Sequence, residues 1–431
     1  MNLLCITAFL LISQVTSQTS DNYDGHQVLK IFPKNDVEAK FVLNLVEKYG
    51  LDIWHAHQED SSLDVRIFPE VIEAVTQQLK IFNIPFSTWI HNVQTLIDKQ
   101  FDRNSSRVHE RATSRSFDFT RYYTFTEIIN TLASLETVDG VGPSGSSIFS
   151  EHSQIGSTIE GRPLQLVKIY KPSATKKRAI FVDGGIHARE WISPAFMLYL
   201  FDQLKYNPSR AANIEDLVTT YDWYLLPVLN PDGYSYSHTS SRLWRKNRRT
   251  NPTDGCHGVD LNRNFGYEWN PAIGGSTSHC SDVYSGSGPF SELESQAVRN
   301  FLTNGIDFIS YLTVHSYGQY WLYPWGYTTA LPADVAELDA AAGVAITAIR
   351  TRYNTRYTKG SSTNTLYAAA GGSDDYAKGG AGVKYSYTLE LRDTGRFGFV
   401  LPESQILETC LETMDGFIAY VNFLKTAPQR G

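Results

Sequence analysis

The chain has 431 residues, 42% of them hydrophobic and 19% charged, with a formal charge of −7. That composition belongs to a globular protein with a full core and excludes a disordered chain. The charge leaves no basic footprint, which argues against nucleic acid as the main partner; the one basic cluster, residues 242–249, is interrupted by Leu243 and Trp244.

Residues 3–12 form a short apolar stretch followed by Val15-Thr16-Ser17, small residues of the kind a signal peptidase reads. Residues 1–17 are therefore expected to be a signal peptide and the protein to be secreted. No other run is long enough to span a bilayer, so no membrane anchor is expected. From residue 26 to about 100 the pattern alternates: strands at 28–32, 52–55, 64–68 and 87–91, helices at 36–48 and 69–79. The order β-α-β-β-α-β is that of a small α+β, ferredoxin-like domain. A charge-rich helical tail over 93–115 follows, carrying Arg103, Arg107, Arg111 and Arg115 and the sequon at Asn104. Exposed arginines at that spacing suit cleavage by a trypsin-like protease.

After Phe119 a larger domain begins. Apolar strands at 164–170, 179–182, 223–229, 309–315 and 385–391 alternate with helices at 126–135, 191–206, 292–304, 333–353 and 402–423. Near-continuous apolar strands between amphipathic helices predict an α/β domain, a mixed, largely parallel sheet covered by helices on both faces. Ligands of such sheets bind outside the carboxyl ends of the strands, where His187, Asn230, His315 and Glu390 fall. Cys256 and Cys280 bracket a Gly-, Asn- and Ser-rich stretch that suits a disulfide, worth roughly 3 kcal/mol in the chain-entropy model. Cys410, in an apolar-periodic segment, reads as a buried free thiol.

His187 and Glu190, three residues apart between a strand and a helix, can turn onto one cation. With His315 at another strand end they complete a His, Glu, His set, which suits a catalytic zinc with one coordination position open. Peptide hydrolysis at such an ion needs a base beside it. Glu390 is a carboxylate inside an otherwise apolar strand, costly unless functional or paired, for instance with Arg392.

The motifs His187-Ala-Arg-Glu190, Leu243-Trp-Arg-Lys-Asn247, Gly258-Val-Asp-Leu-Asn-Arg-Asn264, His315-Ser-Tyr317, Tyr367 with Gly371-Gly-Ser373, and Leu389-Glu-Leu-Arg-Asp-Thr-Gly395 resemble, in order, the zinc carboxypeptidases of the pancreatic A/B type. The first hundred residues are similar to that family's pro-segment. The resemblance implies a zymogen: signal peptide 1–17, activation segment 18–111, catalytic domain 112–431, with cleavage at Arg111 or Arg115. It implies one zinc held by His187, Glu190 and His315, a general base in Glu390, and an oxyanion-stabilising Arg245. Asn262, Arg263 and Tyr367 would hold the substrate's terminal carboxylate, Arg263 by a bidentate pair. Arg189 and Tyr317 would line the approach, and Asp260 would orient His187.

Asp374 stands where A-type members carry an apolar residue and B-type members an aspartate. The resemblance therefore implies peptides ending in Lys or Arg as substrates. Ser361-Ser-Thr-Asn364 in the pocket wall matches neither subtype. The alternatives are the same chemistry with A-type or broad specificity, and a non-catalytic secreted binding protein of the same fold. Digestive use is the expected setting.

Overall fold

The structure, a computed structural model, describes residues 21–57, 60–100, 117–135, 148–206, 214–251 and 253–426. The expected signal stretch, Asn104, Arg111 and Arg115 lie outside them.

The amino-terminal unit runs β1 (Gln27–Ile31), α1 (Asp36–Tyr49), β2 (Asp52–Ala56), β3 (Leu63–Ile67), α2 (Ile72–Ile81), β4 (Phe86–Ile90) and α3 (Val93–Gln100). Asn35 caps α1 by accepting from the backbone of Val37 and Glu38, and Gly50 ends it in the left-handed region that a missing Cβ permits. The strands pair antiparallel in the order β2-β3-β1-β4, the arrangement expected. Leu29, Val42, Val65, Val75 and Leu79 fill the space between sheet and helices.

The larger unit contains α4 (Phe125–Ser134), β5 (Phe149–Ser157), β6 (Pro163–Tyr170), β7 (Ala179–Gly184), α5 (Ile192–Tyr206), α6 (Ile214–Thr220), β8 (Asp222–Leu226) and α7 (Pro231–Thr239). Then come α8 (Leu293–Leu302), β9 (Phe308–Ser316), β10 (Tyr320–Tyr323), α9 (Val335–Tyr353), β11 (Thr358–Ser361), the short turns α10 (Ser362–Thr365) and α11 (Ser373–Asp375), β12 (Tyr385–Leu391) and α12 (Ile406–Thr426). Eight strands form one sheet in the order β11-β10-β12-β9-β7-β8-β6-β5. Its centre, β12-β9-β7-β8, is parallel, and β11 joins β10 parallel. The β10–β12, β6–β8 and β5–β6 pairs are antiparallel.

Alternate residues of β7 divide the core. Ile180 and Val182 join the cluster that includes α5, α9 and α12, whereas Ala179 and Phe181 join the one that includes α8. The sheet is thus covered on both faces, and β9 is buried along its whole length. The five expected strands are all present. That expected over 223–229 stops at Leu226, because Pro227 has no N–H to give to a ladder. Cys256 and Cys280 are bonded, with Cα atoms 5.1 Å apart. Cys410 is a buried free thiol. No helix among the described residues is long and apolar enough to cross a membrane.

Candidate active site

Three parallel strands deliver the site from their carboxyl ends. β7 gives way to a loop carrying His187 and Glu190, β9 carries His315 near its end, and β12 sets Glu390 in register beside His315. His187 Nδ1 lies 2.8 Å from Glu190 Oε1, and His315 Nδ1 lies 3.2 Å from His187 Nδ1 and 3.1 Å from Glu190 Oε2. All three are buried.

The far nitrogens fix the tautomers. His187 Nε2 faces Asp260 Oδ1 at 3.1 Å, and His315 Nε2 faces Thr313 Oγ1 at 3.3 Å, whose hydroxyl donates to Asp183 at 2.8 Å. With a proton on each far nitrogen, both Nδ1 atoms turn a lone pair to the same point as the carboxylate. Three acceptors converging without a donor fit a cation, and two imidazoles with one carboxylate fit zinc. The charges agree. Burial would lower His315, yet Glu190 and Glu390 push it up to about 9. Burial would raise Glu190, yet His187 and His315 hold it well below the usual carboxylate range. The other cluster of potential ligands among the described residues, Asp254 with Cys256 and Cys280, has both sulfurs committed to the disulfide.

Glu390 is partly buried, and its Oε2 is shut off from solvent without a hydrogen-bond partner among the described residues. Burial pushes its pKa up to about 8, with Glu190 adding to the rise and His315 and Arg245 opposing it. Arg392, the ion-pair partner considered for it, turns to Glu412 and Glu408. Arg245 is buried and grips Asp260 Oδ2 through Nε at 3.1 Å and Nη2 at 2.9 Å. Asp260 therefore holds His187 with one oxygen and Arg245 with the other.

Arg263 is held by Nε on the Gly274 carbonyl at 2.7 Å and Nη1 on the Asn262 carbonyl at 2.9 Å, with the Tyr367 ring 6.0 Å away. Asn262 Oδ1 accepts from the Ser373 backbone at 3.0 Å, which ties it to the turn that carries Asp374. His187, Glu190, Arg245, Asn262, Arg263, His315, Tyr367, Asp374 and Glu390 line one cleft of about 600 Å³, together with Arg189, Tyr317, Ser362 and Thr388. Asp374 is buried rather than solvated. Burial raises its carboxyl, while the Asp375 backbone and the Thr388 hydroxyl pull it back. Asp375 is structural, accepting from the backbone of Gly326 and Tyr327.

A family model described as zinc carboxypeptidase matches residues 145–416, and one described as carboxypeptidase activation peptide matches residues 29–100. The chain belongs to the zinc carboxypeptidase family. It is 47% identical to carboxypeptidase B of Astacus astacus over 310 residues, 72% of this chain and 98% of that protein. It is 37% identical to mast cell carboxypeptidase A of Homo sapiens over 410 residues, 94% of each. Among solved structures, thrombin activatable fibrinolysis inhibitor superposes with a TM-score of 0.80 at 34% identity, covering 94% of this chain and 100% of that one. The protein is a metallocarboxypeptidase with an activation peptide, and zinc is the family's metal.

The activation unit of this carboxypeptidase lies over the cleft. Asp52 of β2 receives Arg189 Nη1 at 2.8 Å, and Tyr317 Oη donates to Asp64 of β3 at 3.2 Å. His55 stacks against Tyr317 and Tyr320, and Trp54 meets Phe399 edge-on at 5.3 Å. Sequence reasoning missed Asp52, Asp64, Thr313 and Asp183. Asp64 sits inside the strand Leu63–Ile67 much as Glu390 sits inside β12, which is the one signal that could have found it.

Proposed function

We propose that the chain is a secreted zymogen, with signal peptide 1–17, activation segment 18–111 and catalytic domain 112–431, which after cleavage at Arg111 or Arg115 removes single C-terminal Lys or Arg residues. The observation that carries the specificity is Asp374: a carboxylate buried in the cleft, with the hydroxyls of Ser362 and Thr388 beside it and no salt-bridge partner among the described residues. An ammonium or guanidinium on the leaving residue supplies the missing charge, and an aromatic side chain leaves the carboxylate unpaired.

In this reading His187, Glu190 and His315 hold the ion. Bound zinc supplies Lewis acidity, polarising the scissile carbonyl and lowering the pKa of water to about 7. Arg263, with Asn262 and Tyr367, takes the free terminal carboxylate, so only the last peptide bond reaches the reacting centre. Glu390 accepts a proton from water and passes it to the departing amine. Arg245 donates to the carbonyl oxygen as charge gathers on it. Arg189 and Tyr317 contact residues further from the cut, where the activation unit now sits.

Relatives of both letters match the chain, so the test must separate them. Short peptides differing only in the last residue are offered before and after trypsin treatment, with and without a zinc chelator. The expected result is hydrolysis of Lys- and Arg-ended peptides after trypsin, abolished by chelation. Equal rates on Phe- and Lys-ended peptides would replace the basic preference with a broad one.

A further inference from the structure

Arg245 and Arg263 sit on two irregular segments, the second shaped only by the single 3-10 turn Leu261–Arg263. A guanidinium that must meet a particular oxygen needs its backbone fixed, because a displacement of about 1 Å can cost on the order of 100-fold in rate. Neither a strand nor a long helix supplies that here.

Two buried asparagines do. Asn247, two residues past Arg245, exchanges backbone and side-chain bonds with Val259, at 3.1 Å from its N–H and 2.8 Å onto its Oδ1. Its Nδ2 donates to Glu292 Oε2 at 2.8 Å. Asn264, directly after Arg263, accepts on Oδ1 from the Glu292 backbone at 3.1 Å and from Ser295 Oγ at 2.7 Å. Its Nδ2 donates to Ser285 and Gly288 carbonyls and to Ser291 Oγ. Ser291 Oγ in turn donates to Glu292 Oε1 at 2.7 Å. Glu292, the residue before α8, thus seizes one arm with its carboxylate and the other with its N–H.

We propose that Asn247, Asn264 and Glu292 are positioning residues that set Arg245 and Arg263 at a fixed separation across the cleft. The inference rests on the roles given above to those two arginines. It assigns the arms different kinetic consequences. Loosening the Asn247 arm moves the group that meets developing charge and lowers kcat, whereas loosening the Asn264 arm moves the group that holds the ground-state carboxylate and raises KM.

The test uses the full chain, zinc-loaded and processed, with rates taken per zinc-containing molecule. Asn247→Asp puts a carboxylate against Glu292; kcat for a Lys-ended peptide is expected to fall about tenfold or more, with KM within about twofold. Adding Glu292→Gln returns a donor opposite that acceptor and, although it gives up the ion pair of Glu292 with Arg249, is expected to recover part of the loss, which a general loss of folding would not allow. Asn264→Asp is expected to raise KM about tenfold with a smaller change in kcat. If Asn247→Asp does not fold, Glu292→Gln alone, close to isosteric, is expected to lower kcat in the same sense. Wild-type kcat and KM in the asparagine variants, with only the melting temperature lowered, would overturn the proposal. Arg245→Ala and Arg263→Ala are run beside them: a kcat loss and a KM rise there isolate the failure to the clamp, and their absence would overturn the arginine roles and the clamp together.

Discussion

Glu390 combines an oxygen sealed from solvent with a pKa pushed up to about 8, first by burial and then by Glu190. A carboxylate so placed gains by taking a proton, which suits a base. Glu390→Gln keeps its shape and removes that capacity; zinc content is expected to stay at one per chain while kcat falls by about 100- to 10,000-fold. Normal turnover in the Gln variant would take Glu390 out of the mechanism. Asp374→Ala is expected to cut kcat/KM on Lys- and Arg-ended peptides by about 100-fold, with little loss on Leu- or Phe-ended ones. An equal loss on both sets would mean that the residue shapes the cleft without reading the side chain. His187, Glu190, His315 and Glu390 were legible because they fall at or near strand ends, and Arg245, Asn262 and Arg263 because they fall in short motifs. Thr313 and Asp183, which stand behind His315, were not: each looks like an ordinary strand residue until the fold joins them.

At the scale of elements, β2 makes the covered cleft sensitive to acid. Burial, followed by the nearby charges of His57 and Lys30, lowers His55 to about 3, whereas a free segment would carry it at about 6.5. The docked form holds the neutral ring, so docking is at full strength above about 6.5 and weakens as pH falls toward about 3. Asp52 acts in the same sense lower down. Burial would raise it, but Arg189 and Arg66 hold it below its ordinary 3.8, so its contribution is present above 3.8 and is lost as pH falls through the docked value. Inhibition of the processed enzyme by the severed activation segment is expected to weaken between pH 7.5 and 5.5, the Ki rising toward roughly tenfold per unit below about 6. His55→Gln should flatten that slope; a Ki indifferent to pH would remove His55 from the docking energetics. Elements legible in the sequence were those with long apolar periods. The unforeseen strands were β5, whose outer side is mostly polar, β10, only four residues long, and β11, whose Thr-Lys-Gly-Ser has no apolar residue. Tertiary pairing decides such strands. Likewise α7 contains Pro, Gly and two serines, and is held by Asn230, which accepts from the Gly233 backbone. A Cβ on Gly233 would come within 2.4 Å of the Lys246 carbonyl, so close packing there outweighs helix propensity.

Across the whole molecule, a bound ion would join chain segments far apart in sequence, since residues 187 and 190 lie in the loop after one strand of the sheet and 315 on the strand beside it. Chelation is therefore expected to do two things together: end hydrolysis and lower the melting temperature, since a ligand at a thousand times its Kd stabilises the folded state by about 4 kcal/mol. Adding zinc back should restore both. A chelated sample that melts normally would mean the ion does not brace the fold.

Asp260 links those scales. One of its oxygens steadies a metal-ligand imidazole and the other a guanidinium on the opposite wall. A swap to an ion with longer bonds would tug the imidazole, swing the shared carboxylate and carry the guanidinium with it. Through that one carboxylate, a shift at the metal site would be passed on to Arg245.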